Sequence, residues 1–329
     1  MQRSWHTLHC HLYSLMTLRP VYKGPSLQSV VDLATLLEME VEQLLSLCSN
    51  TWALYRTRQQ PKKNGGVRTI YEPNSNLMGV QESILKRILR DFHLPEFLSA
   101  VPGRSYIDDS KAHAGKTTVM HEDIKDFYPS VTADMVMSVW HTLCGFPTEL
   151  SKSLTELTTY RGFLPSGAPT SADLGNLVLF DVETELCKEL KNRGLLYTRY
   201  VDDITISAKW KLTDKELGAI RELVHSMLRQ KNLRPNVKKS SVEFSSGRMQ
   251  VHGINVNRHQ PTRSKQERAN LRAAVHECER YYAQFGSSSE EYKMLYDRTL
   301  GRVTELVQVK PTNNARLLLA RIKNIAPTT

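Results

Sequence analysis

The chain has 329 residues, of which 40% are hydrophobic and 24% are charged. This balance is ordinary for a folded protein with a full core, and it excludes a disordered tail or a fibre. Lysine and arginine number 44 against 34 acidic residues, a formal charge of +10, so we expect a polyanionic partner, with nucleic acid preferred to a membrane.

No part of the sequence has the pattern of a targeting or membrane segment. The N-terminal residues lack an apolar core of signal-peptide length, and no run of about 18 apolar residues occurs. We therefore expect a cytoplasmic protein without a membrane partner. Its five cysteines are scattered without CxxC spacing, a pattern that favours neither disulfides nor a structural zinc site.

The first part of the chain predicts helices followed by a hairpin. Apolar residues three and four apart over residues 27–47 indicate one broad helical stripe. Gly65 and Gly66 then turn a basic hairpin, whose returning strand is predicted over residues 67–71.

Strand and helix signals alternate through the middle of the chain. Residues 118–124 form a strand candidate, and Thr132 can cap a helix over residues 133–144. A long helix is predicted over residues 171–192, closed by Gly194. Further along lie a capping box at 213–216 before a helix over 217–230, and a strand over 251–256. These signals predict an α+β core with helices on one face of a mainly antiparallel sheet.

Residues 258–329 predict three helices and carry most of the excess charge. Residues 264–267 match a capping box, a second helix follows the GSSS tract at 286–289, and Pro311 opens a third that runs to Ile325. The segment holds 13 basic and 7 acidic residues, a net +6 of the chain's +10. A solvated helical face is the plainer interpretation, but a basic bundle also suits contact with a nucleic acid backbone.

The most informative feature is a pair of adjacent carboxylates, Asp202 and Asp203, inside the apolar, strand-like segment 195–207. Neighbouring acids repel each other, so they are tolerated only when a cation neutralises them or water solvates them, as in a plain hairpin turn. Asp123 ends the strand candidate 118–124 in a comparable setting. If the two strands pair, three carboxylates converge, and such a cluster can bind two Mg²⁺ ions about 3.5 to 4 Å apart for hydroxyl activation and pyrophosphate release.

Six sequence blocks stand out along the chain: RTIYEP (68–73), HEDIKDFYPS (121–130), LPSGAPTSADLGN (164–176), YTRYVDD (197–203), NVKKS (236–240) and VHG (251–253). Their order and spacing resemble those of the reverse transcriptases, and within them of the bacterial retron enzymes. The chain resembles this family over most of its length. The resemblance implies an α+β right-hand polymerase with fingers, a ferredoxin-like palm and a helical thumb. It suggests an N-terminal helical region at 1–60, fingers at 61–112, a palm at 113–257 with part of the fingers near 145–165, and a basic helical thumb at 258–329.

The resemblance also assigns the catalytic residues. Asp123, Asp202 and Asp203 are similar in position to the family's metal-binding triad, and the backbone carbonyl of Ile124 is implied as a further ligand of two Mg²⁺ ions. Tyr128 matches the aromatic ring under the sugar of the incoming nucleotide, where its bulk would crowd a ribose 2′-OH.

Further residues are assigned to the incoming dNTP and the template. Arg68, helped by Lys62 or Lys63, resembles the finger residues that hold the triphosphate, since a guanidinium can bind phosphate oxygens in a fork. Gly167 lies where the family needs a close backbone approach. Lys239 resembles a lysine near the leaving pyrophosphate, although Lys238 beside it is an alternative.

The chain departs from the family pattern at four places. The family usually has Gln before the glycine at 167 and Pro after the following serine, where this chain has Ser166 and Ala172. Retron enzymes usually carry Asn-Ala-x-x-His and Val-Thr-Gly elements, where this chain has DSKAH (109–113) and VHG (251–253). His113 and Gly253 keep the family residue, and the resemblance assigns both to RNA binding.

The resemblance implies an RNA-directed DNA polymerase that folds with its own structured noncoding RNA. Such an enzyme starts from the 2′-OH of a particular guanosine and makes a multicopy single-stranded DNA joined to RNA. A role in phage defence with a separate effector protein is implied as well. Two alternatives stay open: a group-II-intron-like reverse transcriptase, which has the same chemistry on another template, and a catalytically idle RNA-binding scaffold.

Overall fold

The computed structural model describes residues 19–62, 65–286 and 288–327. Their contacts group them into two compact units. The first unit comprises residues 19–104, 121–206 and 212–241, and the second comprises residues 105–120, 207–211 and 242–327. Among the helices of these residues, none is both long and apolar enough to cross a membrane.

The described residues form helices and short strands in alternation. The helices are α1 (Val30–Leu36), α2 (Val41–Ser49), α3 (Ser75–Arg87), α4 (Tyr106–Ala112), α5 (Phe127–Ser130), α6 (Ala133–Ser138), α7 (Thr148–Thr158), α8 (Ser171–Leu177), α9 (Glu183–Asn192), α10 (Asp214–Gln230), α11 (Lys265–Phe285), α12 (Glu290–Val309) and α13 (Asn313–Lys323). The strands are β1 (Val21–Tyr22), β2 (Tyr55–Pro61), β3 (Val67–Pro73), β4 (Phe92–His93), β5 (Thr118–Asp123), β6 (Leu196–Tyr200), β7 (Asp203–Ala208), β8 (Ser241–Phe244), β9 (Gln250–Val251) and β10 (Ile254–Asn255).

The predicted helical stripe over residues 27–47 is two helices, α1 and α2. Ser29 caps the start of α1, and Glu38 takes a left-handed conformation with φ of 57° just after its end. Arg87 fixes this break, because its guanidinium donates to the carbonyl of Leu36 at 2.7 Å and to the carboxylate of Glu38 at 2.6 Å. A residue distant in sequence therefore interrupts a pattern that is helical throughout.

The predicted long helix over residues 171–192 is likewise two helices, α8 and α9. The carbonyls of Gly175 and Asn176 accept hydrogen bonds from the guanidinium of Arg199 at 3.4 and 3.0 Å. The N–H of Phe180 bonds three residues back rather than four. The helix ends where a buried side chain binds its last carbonyls.

A four-stranded sheet carries the strands that the sequence assigns to the acids. Its strand order is β6-β7-β5-β8. Along the chain, helices separate β5 from β6, a two-residue turn joins β6 to β7, and α10 separates β7 from β8. This β-α-β-β-α-β succession is the ferredoxin-like one, so the predicted α+β core is confirmed. The predicted hairpin is present as well, because β2 and β3 pair along their whole length.

The predicted strand over residues 251–256 is instead a tight hairpin of β9 and β10. Val251 pairs with Ile254, and the turn between them consists of His252 with φ of 49° and Gly253 with φ of 74°. Two-residue turns of this kind need left-handed backbone at both positions. Glycine adopts that conformation freely, whereas a histidine needs further support.

The three C-terminal helices are present as predicted, and each begins with a capped first turn. The side chains of Ser264, Ser289 and Thr312 accept hydrogen bonds at the first turns of α11, α12 and α13. The three helices share an apolar core, built from Leu271, Val275, Cys278, Tyr292, Tyr296, Val303, Leu306, Ala315, Leu318 and Ile322. The last helix ends at Lys323, two residues before the predicted end.

Candidate active site

A two-residue turn presents the adjacent acids. Val201 and Asp202 join β6 to β7, and Asp203 begins the second of these strands. Val201 has φ of 58°, which is rare for a β-branched residue. The carbonyl of Asp202 accepts the N–H of Ile124 at 2.9 Å, so the turn lies beside the end of the strand that carries Asp123.

The carboxylate of Asp123 is held from two sides. The residue is only 4% exposed. One oxygen accepts from the side-chain amide of Asn236 at 2.8 Å, and the other accepts from the ammonium of Lys239 at 2.5 Å. The N–H of Asn236 also donates to the carbonyl of Asp123 at 2.7 Å. The segment NVKKS thus fixes this acid through its first and fourth residues, and Lys239 rather than Lys238 makes the ion pair.

The charges of the site are coupled. Burial raises the pKa of Asp202, the charge of Asp123 raises it further, and Lys239 and Arg68 offset part of the increase. Burial alone would lower the pKa of Lys239, but its hydrogen bond to Asp123 and the charges of Asp123, Asp202 and Asp203 raise it overall. One ammonium therefore interacts with three acidic side chains.

This donor set suits a hard divalent cation. Carboxylate oxygens are the ligands that Mg²⁺ prefers. Among the described residues, no group of three or more His, Cys, Asp or Glu side chains is close enough together to hold a metal ion. The charges of Asp123 and Asp202 act on each other, and all three acids act on Lys239, while the assignment of Asp123, Asp202 and Asp203 as metal ligands, with the carbonyl of Ile124, stays a prediction.

The residues assigned to the nucleotide lie on separate elements. Arg68 is in β3, and its charge acts on Asp202 as described above. Lys62 follows β2, and its N–H donates to the carbonyl of Gly66 at 3.0 Å, whereas Lys63 lies outside the described residues. Burial, then the nearby charges of Asp202 and Asp173, raise the pKa of Tyr128 to about 12. The phenol of Tyr128 is therefore protonated at neutral pH and close to the acids.

Gly167 packs against β3. It has φ of 110°, and an added Cβ would lie 2.6 Å from the Cγ2 atom of Ile70 and 3.2 Å from the carbonyl oxygen of Tyr71. The preceding carbonyl, of Ser166, accepts the N–H of Tyr71 at 2.8 Å. The small residue is required here because two backbones meet. Ser166 takes part in this contact through its main chain.

Replacing Gly167 with alanine should lower the free energy of unfolding by about 1 to 3 kcal/mol, because both the φ angle and the space disfavour a side chain. Gly218→Ala is the matched control. Gly218 lies exposed within α10 with nothing near its hypothetical Cβ, so alanine should raise the free energy of unfolding by about 0.5 to 1 kcal/mol. Denaturant titration of both variants measures the difference. Equal shifts in the two variants would contradict the close approach at Gly167.

A buried ionic network behind the turn was missed by the sequence interpretation. Arg199, which is 0% exposed, donates to both carboxylate oxygens of Glu183 at 2.5 and 2.8 Å. Its guanidinium also donates to the carbonyl of Val201 at 2.9 Å. The hydroxyl of Tyr197 donates to Glu183 at 2.6 Å. Arg199 therefore ties the turn that bears Asp202 to α8 and α9. The sequence feature that could have predicted this network is Arg199 itself, a charged residue at an inward-facing position of β6.

A second missed residue lies next to the first acid. Glu122 is almost fully buried, and its carboxylate accepts from the guanidinium of Arg221 at 3.0 Å and from the hydroxyl of Ser240 at 2.6 Å. His225 approaches it at 3.5 Å. Helix α10 and the start of β8 are thus anchored to the strand that positions Asp123.

The residues assigned to RNA binding lie in the second unit. The side chain of His113 is fully buried, with Nδ1 2.7 Å from the hydroxyl of Ser207. Gly253 lies in an exposed turn, and its carbonyl accepts from Gln250 and Arg263 at 3.1 Å each. Both assignments stay predictions.

Comparison with known proteins gives a family match, related sequences and solved structures. The family model described as reverse transcriptase (RNA-dependent DNA polymerase) matches residues 60–271. The retron Se72 reverse transcriptase of Salmonella heidelberg is 33% identical over 88% of this chain and 77% of its own length. The retron Ec48 reverse transcriptase of Escherichia coli is 28% identical over 94% and 79%. Among solved structures, telomerase from Candida albicans in complex with a fragment of telomeric RNA gives a TM-score of 0.46 at 12% identity, covering 98% of this chain and 68% of that chain.

The family match spans more than half of the chain, and it includes the strands, the turn and the NVKKS segment that form the site. The retron relatives extend the similarity over most of the remaining residues. The chain therefore belongs to the reverse transcriptase family, among the retron enzymes, and is an RNA-directed DNA polymerase with an α+β right-hand polymerase fold.

Proposed function

We propose that this enzyme copies part of a structured noncoding RNA into a multicopy single-stranded DNA that stays joined to RNA. The similarity to the retron Se72 reverse transcriptase over 88% of the chain carries this proposal. The same observation favours a retron enzyme over a group-II-intron-like one. Initiation from the 2′-OH of a particular guanosine, synthesis in the cytoplasm and a part in phage defence with a separate effector protein belong to the same proposal.

The chemistry is proposed to be nucleotidyl transfer at the three acids. Reverse transcriptase domains generally use divalent metal ions. Asp123, Asp202 and Asp203, with the carbonyl of Ile124, would hold two Mg²⁺ ions, which supply neutralisation of triphosphate charge and a lower pKa of the attacking hydroxyl. Asn236 orients the carboxylate of Asp123.

Other residues are proposed to bind the substrate. Arg68 holds the triphosphate oxygens of the dNTP in a guanidinium fork. Lys239, next to the acids, donates a proton to the departing pyrophosphate. Gly167 allows the template and primer to approach the backbone. The subdomain boundaries proposed with this mechanism are those given from the sequence: 1–60, 61–112, 113–257 and 258–329.

Tyr128 is proposed to exclude ribonucleotides. Tyr128→Ala should reduce the preference for dNTP over rNTP by at least about tenfold, because removal of the ring opens space for a 2′-OH. Primer extension with each nucleotide type gives the ratio of kcat/KM values. A variant with unchanged discrimination would refute the role.

The test of the proposed function is to sequence the nucleic acid that copurifies with the full chain expressed from its own locus. We expect one RNA and a DNA complementary to part of it, joined through a guanosine. The Asp202→Ala plus Asp203→Ala variant should yield the RNA without the DNA. Product in equal amounts from the parent and the variant would refute catalysis at these acids, and DNA without an RNA junction would refute the retron mode of priming.

A further inference from the structure

An exposed arginine lies at the tip of a two-residue turn in the first unit. Tyr160 and Phe163 pair across this turn, with N···O distances of 2.8 and 3.1 Å between their backbones. Between them, Arg161 has φ of 47° and Gly162 has φ of 85°. Such a turn needs left-handed backbone at both positions, which glycine adopts freely and arginine seldom does. Arg161 therefore occupies the tip of the turn although its backbone disfavours that position.

Two aromatic rings hold the guanidinium of Arg161. Its Cζ atom lies over the ring of Trp52, 5.2 Å from the centroid, and over the ring of Tyr160, 5.5 Å from the centroid. Both distances are within the range of cation–π attraction. The ring of Tyr160 is itself packed against Tyr55 and Tyr71, whose centroids are 5.1 and 4.9 Å from its own. The arginine is thus stacked on an aromatic cluster that is part of the fold.

The hydrogen-bonding edge of this guanidinium is available. A guanidinium carries five N–H donors in its plane, whereas stacking on a ring uses its face. Within residues 19–62, 65–286 and 288–327, the side chain of Arg161 makes no hydrogen bond and no ion pair. Beside it, Trp52 is 52% exposed, although tryptophan is highly buried on average. The two residues therefore present aromatic surface and cationic donors to solvent at one place.

An unpaired nucleotide offers a partner for each part of this surface. Its base can stack on an aromatic side chain whatever the base is, and its phosphate can accept two hydrogen bonds from one guanidinium. A duplex hides the faces of its bases, so it could bind the arginine but could not stack on the tryptophan. An acidic peptide has the same deficiency. The net charge of +10 favours nucleic acid in general, and the exposed indole favours a single strand.

We propose that Trp52 and Arg161 form a stacking site for one nucleotide of a single strand, with the base on Trp52 and the phosphate on Arg161. Neither residue lies in the six sequence blocks described above. The strand is the part of the RNA template that has not yet been copied, because the copied part is a duplex. The assignment to the template rests on the proposed function, whereas the binding of a single strand does not.

Tryptophan fluorescence of the full chain tests single-strand binding without any reaction. The probe is an oligonucleotide of about eight uridines, since a base that stacks on an indole quenches its emission. Trp52→Phe should remove at least half of the quenching seen with the parent. Trp210→Phe, at an exposed tryptophan of the second unit, is the control and should remove less than a fifth. Equal quenching of the parent and of Trp52→Phe overturns the site.

The affinity for the same probe tests the role of the arginine. Arg161→Gln should weaken binding at least about threefold and reduce the slope of log affinity against log salt by about 0.7, the value for one phosphate contact in a single strand. Arg161→Lys keeps the charge but loses the planar stack, so it should restore the slope and only part of the affinity. Arg193→Gln, which breaks an exposed ion pair in α9, is the control and should leave both quantities unchanged.

Two competitors test the class of ligand. A blunt RNA duplex should bind the parent and Arg161→Gln with affinities that differ less than those for the uridine probe. An equal loss for the duplex overturns the preference for a single strand. A peptide of glutamates should not displace the uridine probe, and displacement by the peptide at the concentration of the probe overturns the assignment to a nucleotide.

Primer extension tests the assignment to the template. Two RNA templates are compared, one with a single unpaired nucleotide beyond the primer and one with about ten, which is enough to reach a separate stacking site. For Arg161→Gln, the loss of kcat/KM on the longer template should exceed the loss on the shorter one at least about threefold. Equal losses overturn the assignment to the template strand. If the parent does not extend a primer on RNA, the proposed function fails, while quenching that depends on Trp52 still supports the binding site.

Discussion

Asp202→Asn is expected to reduce DNA synthesis strongly and, at the same time, to raise the stability of the protein measured in the presence of a chelator. The loss of activity should be about a thousandfold, the size typical of removing one electrostatic element of a reaction site. The gain should be about 1 kcal/mol in the free energy of unfolding. Burial and the charge of Asp123 both raise the pKa of Asp202, so the ionised carboxylate is disfavoured in the folded state.

The opposite directions of the two effects make the test specific. If the carboxylate only stabilised the fold, its neutralisation would lower both the activity and the free energy of unfolding of the protein. Glu156→Gln is the control, since Glu156 is an exposed acid inside α7, and it should change neither quantity. Primer extension and denaturant titration measure the two effects. A lower free energy of unfolding for Asp202→Asn would show that favourable contacts, not repulsion, dominate at this position.

Arg199→Met is expected to have the largest effect on stability, a loss of about 3 to 5 kcal/mol. It removes one partner of a buried ion pair and leaves the carboxylate of Glu183 uncompensated. The carbonyls of Val201 and Asn176 lose their donor in the same step. Activity should therefore fall as well, because the turn that bears Asp202 loses its anchor.

A double variant separates these two consequences. Arg199→Met with Glu183→Gln removes both charges and keeps an acceptor for the hydroxyl of Tyr197, so most of the lost stability should return. The carbonyl of Val201 still lacks its donor, so DNA synthesis should stay at least about tenfold below the parent. Full activity in the stable double variant would show that the guanidinium serves the fold alone and does not position the turn.

The sequence correctly predicted those parts of the fold that depend on residues close together in the chain. The caps predicted at Thr132, Thr213 and Ser264 depend on side chains within three residues of the helix start, and all three are present. The turn of the basic hairpin depends on its glycines, and it was also predicted. Local hydrogen bonds can be read from spacing alone.

The errors have distant causes. Arg87 ends α1 from 51 residues away, and Arg199 ends α8 from more than 20 residues away. In each case a guanidinium binds carbonyls that an uninterrupted helix would use. The apolar residues on either side of each break keep helical spacing. Hydrophobic periodicity therefore could not predict where α1 and α8 end.

The candidate site divides in the same way. Asp202 and Asp203 are adjacent in the sequence itself. Their proximity to Asp123 follows because β5 and β7 are neighbouring strands of the sheet. The partners of Asp123, by contrast, come from a segment more than 110 residues later. The choice between Lys238 and Lys239 needed coordinates, because both are lysines on a short irregular segment and only the geometry distinguishes them.

The strand that bears Asp123 carries a second acid directly before it. Adjacent side chains of a strand leave on opposite faces, so Glu122 meets Arg221 and Ser240 while Asp123 meets Asn236 and Lys239. A one-residue slip of β5 against its neighbours would exchange the two carboxylates and deprive both of their partners at once. Contacts on both faces of β5 therefore favour the native register. A shifted register that placed Glu122 at the site of Asp123 would lose the hydrogen bonds of both acids.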